Sequence, residues 1–286
     1  MSADLLEAAK AAARAASQLL VGARATAIQG KTNPKDLVTE WDVRSEEVIR
    51  KILDERTPGI PVLGEEGGQG KPDEGRARSS AEGGAKVDRG GSSSGLRWIV
   101  DPIDGTVNFA HGLPIWSVSI AIEDAGSVLA GVVAAPALGW WFEGSKGGGA
   151  RDGTGAPLRV STTPAVEQAL LVTGFPYDRA TNPENNFAEW EHFQRVAGAC
   201  RRLGSAALDC CMVACGWFDG YWERHLKAWD IAAGTLFVTE AGGTVTDTRG
   251  GPFDLHAGEV IASNGAIHDQ LVAELGRVRS ARAGSP

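Results

Sequence analysis

The chain has no excess of positive charge. Its 28 Lys and Arg stand against 36 Asp and Glu, a formal net charge of −8 and a pI near 5.2. Proteins that grip nucleic acid through its backbone need a basic face, so that class is set aside. A small anionic substrate stays open, because a bound cation inverts the local field. Long apolar runs are also missing: none reaches the roughly 20 residues of a membrane span. The first residues, "MSADLLEAAKAAARAASQLLVGA", lack the apolar core of a signal peptide. Their few acids and their arginines leave a transit peptide as an alternative, but the Leu and Ala spacing suits an amphipathic helix. Cysteine is scarce. Of four, Cys210, Cys211 and Cys215 crowd "DCCMVACG" with no CxxC knuckle. They read as reduced core thiols in a reducing compartment. Cytoplasm is expected, or plastid stroma if a precursor is targeted. The five histidines are scattered and form no soft-metal cluster.

What is present suffices for a sizeable core. With 286 residues, 43% hydrophobic, one domain of two packed halves is expected, about 1–160 and 161–286. A first helix is predicted over 3–28 and a second near 42–56, its apolar stripe made of Val43, Val48, Ile49 and Ile52. "GKTNPKD" between them reads as a loop. "WSVSIAIE", "SVLAGVVAAP" and "GWWFEG" alternate with period two, as in an antiparallel meander. Beyond residue 161 strands and helices rotate, which implies an α/β layer. Residues 67–97 are dominated by Gly, Ser and charge. Such a stretch buries too little apolar surface to offset its ordering entropy, and it reads as a disordered insertion within one fold.

The chemistry concentrates in acids at strand-to-helix junctions. "WIVDPIDGTVNF" sets Asp101 and Asp104 after an apolar strand, with Gly105 and Thr106 where a helix can start. Two carboxylates so close are costly to bury unless paired or metal-bound, and free N–H groups at a helix start attract phosphate. A hard-cation site beside an anion site is what metal-assisted phosphate chemistry requires. The alternative is an Asp-Pro turn with Asp104 as an N-cap. "GEEGG" adds Glu65 and Glu66, "DLVTEWD" adds Asp36 and Asp42, and "YWERHLKAWDIAAG" adds Glu223 and Asp230. Each pair alone reads as a solvated face or a cap; all of them at such junctions do not.

Together "GEE", "DLVTEWD", "WIVDPIDGTVNF" and "AWDIAAGTLFVTEAGG" resemble the signature motifs of the inositol monophosphatase family, from about Lys31 to Asn264. That family holds magnesium-dependent, lithium-sensitive phosphatases, in a superfamily shared with fructose-bisphosphatases. The resemblance implies a layered α-β-α-β-α sandwich, mixing α+β and α/β halves, and a homodimer. It also implies two to three Mg²⁺ and no covalent phosphoenzyme. Glu65, Asp101 and the carbonyl of Ile103 would hold the first ion, and Asp101, Asp104 and Asp230 the second. Glu65 would share a third. Thr106 with Asp42 would position the attacking water, Gly105 and Thr106 N–H groups would bind phosphate, and Lys31 would approach it. The alternative for Asp42 is an N-cap, and for Lys31 a plain surface lysine.

For the substrate, the resemblance places polyol hydroxyls against Asp104, Glu223 and the turn Gly204, Ser205 and Ala206. A small phosphorylated polyol, inositol 1-phosphate, is the expected partner. Arg224, His225 and Lys227 form a basic run that keeps sister substrates open: histidinol phosphate, fructose 1,6-bisphosphate or a nucleotide 3'-phosphate. A catalytically idle binding protein would show a broken ligand set, and every expected ligand is present. One departure is the 67–97 stretch, longer than is usual between the GEE and DPIDGT motifs.

Overall fold

The helix α1, Ser2–Leu20, buries Leu5, Ala8, Ala9, Ala12, Ala13, Ala16 and Leu20. That small-residue stripe at helical spacing lets it lie close on a sheet. In this computed structural model, which describes residues 2–31, 34–69 and 95–283, α1 stops at Leu20 rather than running to 28. Gly22, in the left-handed region at φ 75°, turns the chain out of the helix. A short hairpin follows, β1 Ile28–Gly30 against β2 Leu37–Thr39. Of the predicted loop, Lys31 and residues 34–36 lie between these strands, and residues 32–33 lie outside the described residues.

The helix α2, Glu40–Arg56, buries Asp42, Ser45, Glu46, Ile49 and Leu53. Val43, assigned to the apolar stripe, is 45% exposed. The buried face of α2 is polar near its start because that end meets the acidic cavity described below. Strands β3 Val62–Gly64 and β4 Gly68–Gln69 join β5 Leu96–Asp104, β6 Ser117–Asp124, β7 Ser127–Ala135, β8 Trp140–Ser145 and β9 Gly149–Asp152. They form a seven-stranded sheet in the order β4-β3-β5-β6-β7-β8-β9. It is antiparallel except for the β3–β5 pair. Between β5 and β6 lies the short helix α3, Thr106–His111. The ends of the 67–97 stretch are therefore strand; its middle, 70–94, lies outside the described residues.

The second sheet runs β11-β10-β12-β14-β13, from β10 Leu170–Thr173, β11 Ala199–Arg201, β12 Gly220–Arg224, β13 Thr244–Thr246 and β14 Glu259–Ser263. Its helices are α4 Phe187–Val196, α5 Ala206–Ala214, α6 Ala228–Glu240 and α7 His268–Ala283. Helices α1 and α2 cover the outer face of the first sheet, α5 and α6 lie between the sheets, and α4 and α7 cover the second. This is the expected five-layer α-β-α-β-α sandwich.

The meander alternates in sequence yet has no wet face. Val118, Ile120 and Ile122 of β6 pack toward α1, while Ala121 joins the cluster around α5 and α6. Small residues on the inner side let helix and sheet approach closely: a Cβ on Gly131 of β7 would stand 2.9 Å from that of Ala233 on α6. Helices α5 and α6 are apolar all round because both sides are covered. All four cysteines carry free thiols, three of them buried and Cys215 half-buried.

Phe237 of α6 is 0% exposed in this central layer. Phe237→Ala is expected to lower the unfolding free energy by about 3–5 kcal/mol, read from urea denaturation. A loss below about 1 kcal/mol would mean the layer is loosely packed.

Candidate active site

Asp101 and Asp104 are three residues apart, which in a regular strand would send them to opposite faces. The β5–β6 register shifts between them, and such an irregularity re-aims a side chain. Asp101 Oδ1 accepts the Ile103 N–H at 3.0 Å. Gly105 then adopts φ 94°, and a Cβ there would meet the carbonyl oxygens of Gly204 and Ile115 at 3.1 Å; only glycine makes this turn into α3. Both aspartates line a cavity of about 250 Å³ together with Lys31, Glu65, Glu223 and Asp230. Ile103, Gly105, Thr106, Gly204, Ser205 and Ala206 also form its wall.

Each acid is tied to the frame by hydrogen bonds. Asp104 is no N-cap of α3; it sits at the start of α5. Its Oδ2 accepts from Ser205 Oγ at 2.5 Å and from the Ala207 N–H at 2.9 Å, and its Oδ1 from the Ala206 N–H at 3.2 Å. The free donors of a helix start favour an anion. The Ser205 hydroxyl and Ala206 N–H, expected to face substrate, are thus engaged with Asp104. Asp42 is the third residue of α2 rather than its cap, and forms a capping box with Thr39. Its Oδ2 takes the Thr39 N–H and hydroxyl at 2.8 and 2.6 Å. Its Oδ1 accepts from Thr106 Oγ1 at 3.0 Å, and that hydroxyl is also 2.9 Å from the Ile103 carbonyl. Asp230, third residue of α6, accepts the Lys227 N–H at 2.6 Å. Asn108 donates to the carbonyls of Ile115 and Leu203 at 2.7 and 2.8 Å, clamping α3 to the turn that carries Gly204.

Lys31 is no plain surface lysine. Its ammonium bridges Glu65 at 2.8 Å and Glu66 at 2.5 Å. Burial alone would lower its pKa, but the two carboxylates raise it above the ordinary lysine range. The Glu65–Gly67 turn is held from α2 by a residue the sequence reading passed over. Glu46, 3% exposed, accepts the N–H groups of Glu66 and Gly67, each at 2.8 Å, and pairs with Arg50 at 2.7 Å. Its signal was its position, one turn beyond Asp42 on the same helix face. Arg202, Asp209 and Gly174 line the cavity too and also went unread.

Burial raises the carboxyls of Glu65, Asp101, Asp104, Glu223 and Asp230. Glu65 is pushed up to about 7, with help from the charges of Glu66 and Asp42 and against the pull of Lys31. Asp104 rises to about 6 although Ser205 and the α5 N–H groups oppose it. Glu223 rises to about 7, with the Tyr221 hydroxyl and Arg202 opposing. Asp101 and Asp230 go well up, each further raised by the charges of its acidic neighbours. Acids that disfavour one another this strongly suit a cation. Among the described residues no three His, Cys, Asp or Glu side chains converge tightly enough to form a metal cage. The carboxylates and Ile103 instead line one cavity, offering oxygen donors only. That chemistry fits Mg²⁺, a hard ion that keeps part of its water. Glu65, Asp101, Asp104, Asp230 and the Ile103 carbonyl are the residues to hold it.

The sequence profile of the inositol monophosphatase family matches residues 1–280. The chain belongs to the inositol monophosphatase family. It is a phosphatase of that family, and so a hydrolase. It is similar to an inositol-1-monophosphatase of Synechocystis, 40% identical over 85% of this chain and 78% of the relative. It is also similar to the Nus factor SuhB of Pasteurella multocida, 37% identical over 84% of this chain and 82% of the relative. Among solved structures, an inositol monophosphatase from Anabaena superposes with a TM-score of 0.80 at 37% identity, covering 96% and 95% of the two chains. No described helix is long and apolar enough to cross a membrane.

Acids with raised pKa bind protons more tightly folded than unfolded. They therefore oppose folding increasingly as pH rises above the unfolded carboxyl range. In metal-free protein this loss of stability should develop from about pH 4.5 through the values of about 6 for Asp104 and about 7 for Glu65 and Glu223. Thermal melts in chelator are expected to fall by several degrees between about pH 5.5 and 8. Mg²⁺ should restore more at pH 8 than at 5.5. A midpoint that rises with pH in chelator would contradict this.

Proposed function

We propose that the protein is a Mg²⁺-dependent phosphomonoesterase that hydrolyses inositol 1-phosphate by direct attack of water. The observation that carries the reading is the Thr106–Asp42 hydrogen bond at 3.0 Å, beside a cavity that Thr106 lines together with Glu65, Asp101, Asp104 and Asp230. When bound, Mg²⁺ supplies Lewis-acid activation of water and offsets the charge of the phosphate.

The protein's own groups do the rest. Thr106 points its proton at Asp42, which leaves the hydroxyl oxygen free to accept a proton from water. Asp42 is buried and fixed by Thr39, so that direction is preset rather than found by reorganisation. The N–H groups of Gly105 and Thr106, at the start of α3, bind phosphate oxygens. Lys31 adds positive charge to the same wall while holding Glu65 and Glu66 in place. Across the cavity Asp104 and Glu223 accept hydroxyls of the alcohol part. Glu223 is held for this by the Tyr221 hydroxyl at 2.7 Å. A site built on such acceptors rejects substrates that leave them unpaired.

Similar chains named inositol-1-monophosphatase support the substrate. The family also includes chains named Nus factor SuhB. The acidic wall here retains every expected ligand, which supports hydrolysis for this chain.

The test is phosphate release with and without Mg²⁺ on inositol 1-phosphate, fructose 1,6-bisphosphate, histidinol phosphate and adenosine 3',5'-bisphosphate. Mg²⁺-dependent preference for inositol 1-phosphate is expected. Preference for another member moves the substrate and keeps the mechanism. Asp101→Asn should lower turnover by roughly a thousandfold, the upper range for losing one transition-state charge partner; near-normal turnover would sink the assignment. Thr106→Ala should cut kcat by about a hundredfold or more while the Mg²⁺ half-saturation changes far less.

A further inference from the structure

Asp209, on the first turn of α5, is 1% exposed and belongs to the wall of the catalytic cavity. Its Oδ1 has no hydrogen-bond partner among the described residues. The mechanism above makes no use of it. A buried carboxyl oxygen left unpaired costs stability, so its retention beside a substrate cavity calls for a partner that arrives from outside the chain.

The charged groups around it are few. Glu223 and Asp104 are like charges, and Arg202 is the opposing one. Arg202 opposes the charge of Glu223 as well. Two glycines on two separate loops make room for this group. Arg202 lies over Gly204, where a Cβ would collide with its guanidinium. The Glu223 carboxylate lies on Gly174, where a Cβ would overlap it. One cation and two acids thus line the same cavity and feel one another's charge.

We propose that Arg202, Asp209 and Glu223 form one specificity pocket for the alcohol part of the substrate, taking neighbouring hydroxyls of a polyol. Arg202 donates to hydroxyl oxygens, while Asp209 and Glu223 accept hydroxyl protons. The orphan oxygen of Asp209 is then satisfied only when a hydroxyl-rich alcohol is seated. This rests on the polyol-phosphatase reading above and assigns two further residues to it.

The test compares inositol 1-phosphate, or fructose 1,6-bisphosphate where that is turned over better, with p-nitrophenyl phosphate, whose leaving group carries no neighbouring hydroxyls. The measured quantity is the ratio of the two kcat/KM values in wild type, Arg202→Gln and Asp209→Asn. Arg202 is at an exposed position, and the Asp209 change keeps shape, so both variants should fold. Asp209→Ser serves under the same criterion if the amide does not. The ratio is expected to fall about tenfold or more in each variant, chiefly through KM for the polyol phosphate. A merely structural role would lower the melting temperature and leave the ratio in place. A ratio within about twofold of wild type in Asp209→Asn overturns the proposal, whatever Arg202→Gln shows. If the wild type prefers fructose 1,6-bisphosphate, the substrate assignment fails by itself, and the pocket is judged by the same ratio on that substrate; preference for histidinol phosphate, which has no free hydroxyl, overturns the pocket.

Discussion

The structure turns on the mutual repulsion of carboxylates held in one small cavity. Burial raises the pKa of Glu65, Asp101, Asp104 and Asp230, and the charges of acidic neighbours raise Glu65, Asp101 and Asp230 further. Such a cluster does not assemble for its own sake. It has to be imposed by a frame whose packing outweighs the cost. The frame imposes it by tethering: the Ile103 N–H to Asp101, the start of α5 to Asp104, and the Lys227 N–H to Asp230. Each tether fixes its carboxylate in the cavity wall. The result is a preorganised oxygen wall rather than a collapsed one.

The five layers explain why the acids come from so many parts of the chain. The ends of β3 and β5 supply Glu65, Asp101 and Asp104. The starts of α2 and α6 supply Asp42 and Asp230. The strand β12 of the other sheet supplies Glu223. These ends meet because α5 and α6 lie between the sheets, and small residues such as Gly131 and Ala233 let them lie close. In the proposed mechanism, recognition of phosphate and of its alcohol would draw on both sheets, joined by Asp104, whose carboxylate is bound by α5. Lys31 adds the one cation seen paired with Glu65, at the tip of the β1–β2 hairpin.

Much of this was legible in the sequence because the chemistry is local. The acidic motifs mark junctions, and their spacing alone separated chemistry from caps. The element order of the second half also followed from its period changes. What was hidden is tertiary. Glu46 reads as one more exposed helix acid until Arg50 and the Glu65–Gly67 turn are packed against it. Val43 looks like core until the start of α2 proves to face the cavity with polar groups. The N-cap alternative for Asp42 and Asp104 gives way to binding near helix starts, Asp42 inside its own helix and Asp104 at a helix 101–103 residues on. The alternation of β6 promised a wet face, and no local pattern could announce that helices cover both sides. Asp209 sits in an apolar run that reads as plain core.

One measurement reaches the central claim directly: calorimetric titration of Mg²⁺ into chelator-stripped protein at about pH 6.5, repeated in buffers of different ionisation enthalpy. Carboxyls with pKa values of about 6 to 7 are partly protonated there and must give up protons to bind a cation. Saturable binding with net proton release, both reduced in Asp101→Asn, is the expected result. Binding without proton release would mean the acids do not repel one another as the structure implies. Absence of binding would remove the cavity as a metal site.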